Sequence, residues 1–325
     1  MTSDVSLQAT AFVAERLPDA HRLGLALGDL MTQPAEFMAT LTAGLSGLAD
    51  EAYNAEQERV APGSGRTIGV RWPLIHEVER ALRPALAETS SSMVLELALW
   101  LSGAETREVR LFALPCLRQS LVEDPERTWQ ALRRIARRAR DWITVDSLAE
   151  VYARGILAEP FRWAELEQLV YSDQPMERRL IGATLARIPY EVPAAQRHQL
   201  DVTAVLALIG QLMGDADDQV QKSLSWALRN WSRVDAPAVA RFLGEQADIT
   251  VRDNDGYRAW VIRDAGQHQP AEVVTALRDR IAGIRKRAGS PSTSTAATVA
   301  ATFGVAAMAD QAIAQQGDRY ARSRA

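Results

Sequence analysis

Apolar residues recur at three- and four-residue steps through most of this chain and almost nowhere alternate. Between residues 108 and 122 the apolar set is Val109, Phe112, Ala113, Cys116 and Leu117. Farther on, Leu180, Ala183 and Ala186, then Val220, Leu224, Ala227 and Leu228, then Val239, Phe242 and Leu243 make similar faces. That spacing places one stripe of each segment against a core, as an amphipathic helix requires, and predicts no strand. Breaks fall at Asp124-Pro125, Glu159-Pro160, Gln174-Pro175, Pro189 to Pro193, Gly214 to Asp218 and Asp235 to Pro237. Between residues 69 and 266 they leave segments of roughly ten to twenty residues in rough pairs, with pairs recurring about every 35 to 50 residues. The predicted fold class is all-α, a HEAT-like α-solenoid of antiparallel helix pairs. Periodicity alone equally allows an irregular helical bundle.

Three regions are expected: an Ala- and Leu-rich helical extension over 1–60, a repeat domain over 61–287, and a disordered, low-complexity tail over 288–325, with a weak helix near 299–314. The length of 325 residues exceeds the usual single domain but suits one elongated repeat array. The first residues lack the basic start and apolar run of a signal peptide. No uncharged stretch is long and apolar enough to span a bilayer. A cytoplasmic, nucleoid-associated location and a monomeric state are expected. A lone Cys116 excludes an intramolecular disulfide, and the four histidines have no ligand spacing, so neither a metal nor another cofactor is predicted. His76 and His198 read as surface or satisfied residues, and Ser147 as a helix N-terminal residue.

The net charge is −4, yet the charge is segregated. Arg127, Arg133, Arg134, Arg137, Arg138 and Arg140 crowd one short stretch. Arg133, Arg137 and Arg140 share a helical face with Arg134 and Arg138 beside it, while Trp129, Leu132, Ala136 and Ala139 lie opposite. Such a face is most often merely solvated. No acid occurs between Arg127 and Arg140, however, so intrahelical pairing cannot neutralise it, and phosphate is the natural partner for a guanidinium row.

Directly afterwards come Asp141 and Trp142, with Asp146 four residues on and therefore on the same side of a helix. An isolated Trp142 would fill a core, and an isolated Asp146 would cap a helix. A second tryptophan near charge, Trp226, follows Lys222 and precedes Arg229. Trp231 and Trp260 read as packing residues.

The runs Asp141-Trp142-Ile143-Thr144-Val145-Asp146-Ser147, Met176-Glu177-Arg178-Arg179-Leu180 and Val220-Gln221-Lys222-Ser223-Leu224-Ser225-Trp226-Ala227-Leu228-Arg229 resemble the bacterial AlkD-like DNA alkylation repair proteins. So does the turn Ile68-Gly69-Val70-Arg71-Trp72-Pro73. Order and approximate spacing match over residues 68–270. The resemblance implies a solenoid with a basic concave face that grips double-stranded DNA and removes cationic N3- or N7-alkylated purines without flipping the base. It implies that Trp142 and Trp226 stand against the deoxyribose and that Asp146 lies near its anomeric carbon. Arg179, with Arg178, would hold a backbone phosphate, and Lys222 and Arg229 would make further DNA contacts. Two other readings fit the same sequence: a non-catalytic HEAT protein that binds damaged or branched DNA, and a protein-interaction solenoid whose arginine face meets an acidic partner.

Overall fold

The computed structural model of the chain describes residues 4–302, and every regular element among them is helical. The chain divides into two compact units at Gly155 and Ile156.

The first unit holds α1 (Asp4–Gly28), α2 (Pro34–Gly47), α3 (Glu51–Val60), α4 (Trp72–Glu88) and α5 (Ser91–Ser102). A short α6 (Arg107–Leu111), then α7 (Ala113–Glu123), α8 (Pro125–Arg138) and α9 (Trp142–Ala158) follow. No division falls near residue 60, where the sequence places one. Instead α1 lies on α4: His21 Nδ1 is 2.8 Å from Glu77 Oε1, and a Cβ at Gly24 would collide with the Val78 carbonyl. Next in the same row, Arg118 of α7 reaches Glu79 of α4 at 3.4 Å and Glu150 of α9 at 3.2 Å. The turn into α4 needs a glycine. Gly69 has φ +85°, a Cβ there would strike Asn54, and its N–H donates to Glu108 at 2.8 Å.

The second unit holds α10 (Arg162–Gln168), α11 (Pro175–Glu191), α12 (Val202–Leu212), α13 (Asp218–Trp231), α14 (Ala236–Asp253), α15 (Gly256–Gly266) and α16 (Ala271–Arg280). Early residues of α11 meet early residues of α13, and late meet late. Arg179 donates to the Gln219 carbonyl, while Asn230 and Trp231 donate to the carbonyls of Ala186 and Leu185. Partners stand 40 to 46 residues apart and the two helices run the same way. Gly182 permits their close approach, since a Cβ there would overlap Ser223. The same relation carries on to α15, where Asp264 takes Ser225 and Arg229. Helices α12 and α14 must then carry the chain back, so each repeat is an antiparallel pair. This is the predicted α-solenoid of antiparallel helix pairs, which periodicity alone does not separate from an irregular bundle.

Repeats in this unit open on aspartate caps. Asp217 accepts from the amides of Gln219 at 2.8 Å and Val220 at 3.2 Å at the start of α13, and Asp255 does the same for α15. Asp217→Ala is expected to lower stability by about 1 kcal/mol, read as a lower midpoint in urea unfolding, because those amides lose their acceptor.

The region after residue 287 departs from the expected disorder where it is described. Thr293 donates its N–H to the Gly214 carbonyl at 2.9 Å, Tyr257 donates to the Ser290 carbonyl at 2.7 Å, and Ser294 and Ala296 are buried. Residues 295–302 are helical, opened by Ser294, whose hydroxyl accepts the Ala297 amide. Polar Ser and Thr make these residues look like linker, but their hydroxyls and amides match carbonyls at the turns of the second unit. The rest of the expected tail and of its weak helix lies outside the described residues.

Candidate nucleic-acid interface

Helix α8 presents the arginine run. Its inner face buries Thr128, Trp129, Ala131, Leu132, Ile135 and Ala136, and Trp129 meets Tyr152 edge-on at 4.9 Å. The apolar stripe therefore turns the arginines outward: Arg134, Arg137 and Arg138 are exposed and Arg133 half-buried. Two members differ from expectation. Arg127 pairs with Asp124 at 3.3 Å, inside the helix's own first turn. Arg140 lies beyond the helix end at Arg138 and donates to the carbonyls of Arg137 at 2.8 Å and Ala139 at 3.2 Å. A cation at a helix C-terminus satisfies carbonyls that have no intrahelical partner, and this draws Arg140 off the common face.

The start of α9 separates two aspartates by task. Asp141 is the cap: its carboxylate accepts the Thr144 amide at 2.9 Å and the Thr144 hydroxyl at 2.8 Å, and stands 3.5 Å from Arg110. Trp142 is the first helical residue and Asp146 follows one turn later, both half-buried. Asp146 is thus not the cap. Ser147 lies inside the helix rather than at its beginning. Farther along the stripe, Glu150 pairs with Arg154 at 3.0 Å as well as with Arg118. Burial pushes the Glu79 carboxyl above the usual carboxylate range, an effect the adjacent Arg118 opposes.

In the second unit, Arg178 is committed to the fold. Its Nε and Nη2 reach the two oxygens of buried Asp215 at 2.7 and 3.3 Å, and Nη1 donates to the Ser172 carbonyl. Arg179 is buried, with 5% of its surface exposed, and donates to both oxygens of Gln219 at the start of α13. Along α13, Lys222 is exposed, Trp226 is half-buried, and Arg229 pairs with Asp264 and donates to Ser225 at 2.7 Å. The three fall at i, i+4 and i+7 and share a face. Opposite them Val220, Leu224, Ala227 and Leu228 are buried. Trp226 sits in the middle of its helix, whereas Trp142 opens one.

Trp231 is a packing residue, 1% exposed, with its indole N–H on the Leu185 carbonyl. Trp260 is half-buried, and the Lys286 ammonium lies 4.3 Å from its ring centroid while pairing with Asp218 at 2.7 Å. Nothing in the spacing of Lys286 marks it as a partner for Trp260, because the two meet only through the docked segment after α16. Cys116 is buried and its thiol is pushed up to about 12, which excludes a thiolate nucleophile at neutral pH. Among the described residues no group of three or more His, Cys, Asp or Glu is placed to hold a metal, and no helix is long and apolar enough to cross a membrane.

Among solved structures, the chain is similar to one described as "Predicted DNA alkylation repair enzyme from Enterococcus faecalis". The two are 13% identical with a TM-score of 0.51, over 61% of this chain and 89% of that one, which is a likeness of fold. No curated protein matches the chain. Residues 41–268 match the family of DNA alkylation repair enzymes, a span that includes α4 to α15 and every candidate residue named above except Lys286. The chain belongs to the DNA alkylation repair enzyme family.

Proposed function

We propose that this protein is a DNA glycosylase that hydrolyses the N-glycosidic bond of cationic N3- and N7-alkylated purines in duplex DNA. The observation that carries this reading is the pairing of Trp142 and Asp146 on one side of α9, with the capping task given to Asp141 instead. The start of the helix does not depend on this carboxylate and indole, since Asp141 takes the Thr144 amide.

The chemistry asks little else. An alkylated purine carries a positive charge, so it leaves as a neutral base when the bonding electron pair moves onto its nitrogen. No general acid is required. Positive charge then develops on C1′ and the ring oxygen of the sugar. Asp146 and the face of Trp142 stabilise that charge more in the transition state than in the ground state, each contact by about 2–4 kcal/mol. Water adds to C1′ and loses its proton, with Asp146 orienting it. In the second unit, Trp226 supplies a further aromatic face for the sugar-phosphate chain and exposed Lys222 a cation, while buried Arg179 and the Asp264-paired Arg229 hold α13 in place. Arg178 supports this indirectly, by fixing the turn at Asp215 that precedes α13. Contact directed at the backbone lets the base remain stacked, since no step needs the base in a pocket.

The deciding experiment is release of 3-methyladenine and 7-methylguanine from methylated duplex DNA by the purified chain. Binding of duplex without base release would favour the non-catalytic DNA-binding reading, and binding of no duplex at low salt would favour a protein partner. The arginine face has its own test. Replacing Arg133, Arg134 and Arg137 together with Gln is expected to flatten the slope of log affinity against log salt by about 2–3, as the loss of that many phosphate contacts requires. An unchanged slope would remove α8 from the DNA surface.

A further inference from the structure

The end of α8 borders a cavity of about 290 Å³ within the first unit. Its walls come from three stretches far apart in sequence. One is the loop of Gly63, Ser64 and Gly65 between α3 and α4. Another runs from the end of α5, at Ser102 and Gly103, to Arg110 of α6. The third is the α8–α9 junction, from Ile135 to Thr144.

The glycine loop is shaped for the site. Gly63 and Gly65 have φ of +80° and +88°, and Ser64 between them is buried. A Cβ at Gly65 would stand 3.1 Å from the Arg110 guanidinium, so the missing side chain lets that arginine lie flat against the loop. Arg110 is fully engaged. It donates to the carbonyls of Ala104, Glu105 and Ser64 and pairs with Asp141. Arg110 and Asp141 therefore cancel in charge, and Asp141 is the only carboxylate in the lining.

What remains is positive. Arg138 lines the cavity, is exposed, and makes no ion pair among the described residues. Arg140 lines it too and donates only to carbonyls, so its charge meets no acid. Two uncompensated guanidinium groups at one concave site, with backbone from a glycine loop opposite, attract an oxyanion and offer it forked donors. The site is also distinct from the sugar-facing pair. Thr144 follows Trp142 by two residues, which puts the two on opposite sides of α9.

We propose that this cavity is a phosphate-binding site that takes a phosphate at an end, either free or terminal on a nucleic-acid strand. A concave seat suits such a group better than an internal phosphodiester, which brings a sugar on both sides. The volume exceeds what a single phosphate fills and leaves room for the group attached to it.

The test uses the full chain at low ionic strength. Inorganic phosphate and pyrophosphate are titrated by calorimetry, and a short duplex bearing a 5′-phosphate is compared with its unphosphorylated twin. Saturable binding of the free anions identifies a small phosphate compound as ligand. A preference for the 5′-phosphorylated duplex without free-anion binding identifies a strand end. In either case Arg138→Gln with Arg140→Gln is expected to weaken binding at least about tenfold, as loss of charge-assisted hydrogen bonds does. Arg138→Gln alone removes an exposed side chain and keeps the Arg140 cap of α8, and it should weaken binding by about threefold or more without altering thermal unfolding. Arg127→Gln, on α8 but paired with Asp124 and outside the lining, should leave it intact. The proposal is overturned if neither free nor terminal phosphate binds, or if Arg127→Gln weakens binding as much as Arg138→Gln. Neither readout involves base release, so failure here is separate from failure of the glycosylase reading.

Discussion

Asp146→Asn is expected to slow single-turnover base release from methylated duplex DNA at least about tenfold, with the thermal midpoint unchanged. Asparagine keeps the size and shape of the side chain and removes only its charge. Stability should hold because α9 is capped by Asp141, which takes the Thr144 amide and hydroxyl. The rate should fall because the developing sugar cation loses a full negative charge from its neighbourhood. No nearby group on the same stripe replaces it, since the Glu150 carboxylate is held by Arg118 and Arg154. Excess enzyme over methylated DNA isolates the chemical step from product release. If Asp146→Asn and the parent chain release base at equal rates, Asp146 has no catalytic part. A drop in the thermal midpoint together with the rate would instead make it a structural residue.

How much of this was legible depended on how far away each partner lay. The 3.6-residue period needs only local sequence, so α7, α11 and α13 were readable from their apolar residues. Trp129 and Leu132 were readable as the inner face of the arginine helix for the same reason. The same-direction stacking of α11 on α13 rests on Gly182 against Ser223, and on Arg179 against Gln219, contacts across some forty residues that no local pattern contains. Candidate residues divide in the same way. Trp142 and Asp146 sit one turn apart and were legible as a pair. That Asp141 takes the cap was not, because two acidic side chains at neighbouring positions compete for one task and backbone geometry decides. Arg140 looked like part of the arginine face until α8 ended two residues before it. Arg178 and Arg179 looked alike in sequence, yet one clamps Asp215 and the other reaches α13. The segment at 290–298 was least legible. Its Ser, Thr and Pro content matches that of a disordered linker, and distant groups give those residues a place: the carbonyl of Gly214, the carboxylate of Asp255 and the hydroxyl of Tyr257.

That dependence on distant partners predicts where the second unit is most vulnerable. Asp255→Ala is expected to cost about 3–5 kcal/mol in urea unfolding of the intact chain. The Asp255 side chain is 1% exposed and serves four donors: the amides of Tyr257 and Arg258, the Arg258 Nε at 3.1 Å, and the Thr293 hydroxyl. Loss of the cap by itself accounts for about 1 kcal/mol. The larger part comes from Arg258, whose side chain is 7% exposed and would keep its charge with no counter-ion, although its links to Gln246 and to the Met213 carbonyl survive. A buried charge stripped of its partner costs more than the pair contributed. The double change Asp255→Asn with Arg258→Met should therefore be less destabilising than Asp255→Ala alone, because it removes the orphaned charge while asparagine continues to cap α15. Amides near Thr293 should exchange faster in Asp255→Ala, as that segment loses one of its anchors. A loss below about 1 kcal/mol, or a double variant no better than the single one, would show that the pair acts only as a helix cap.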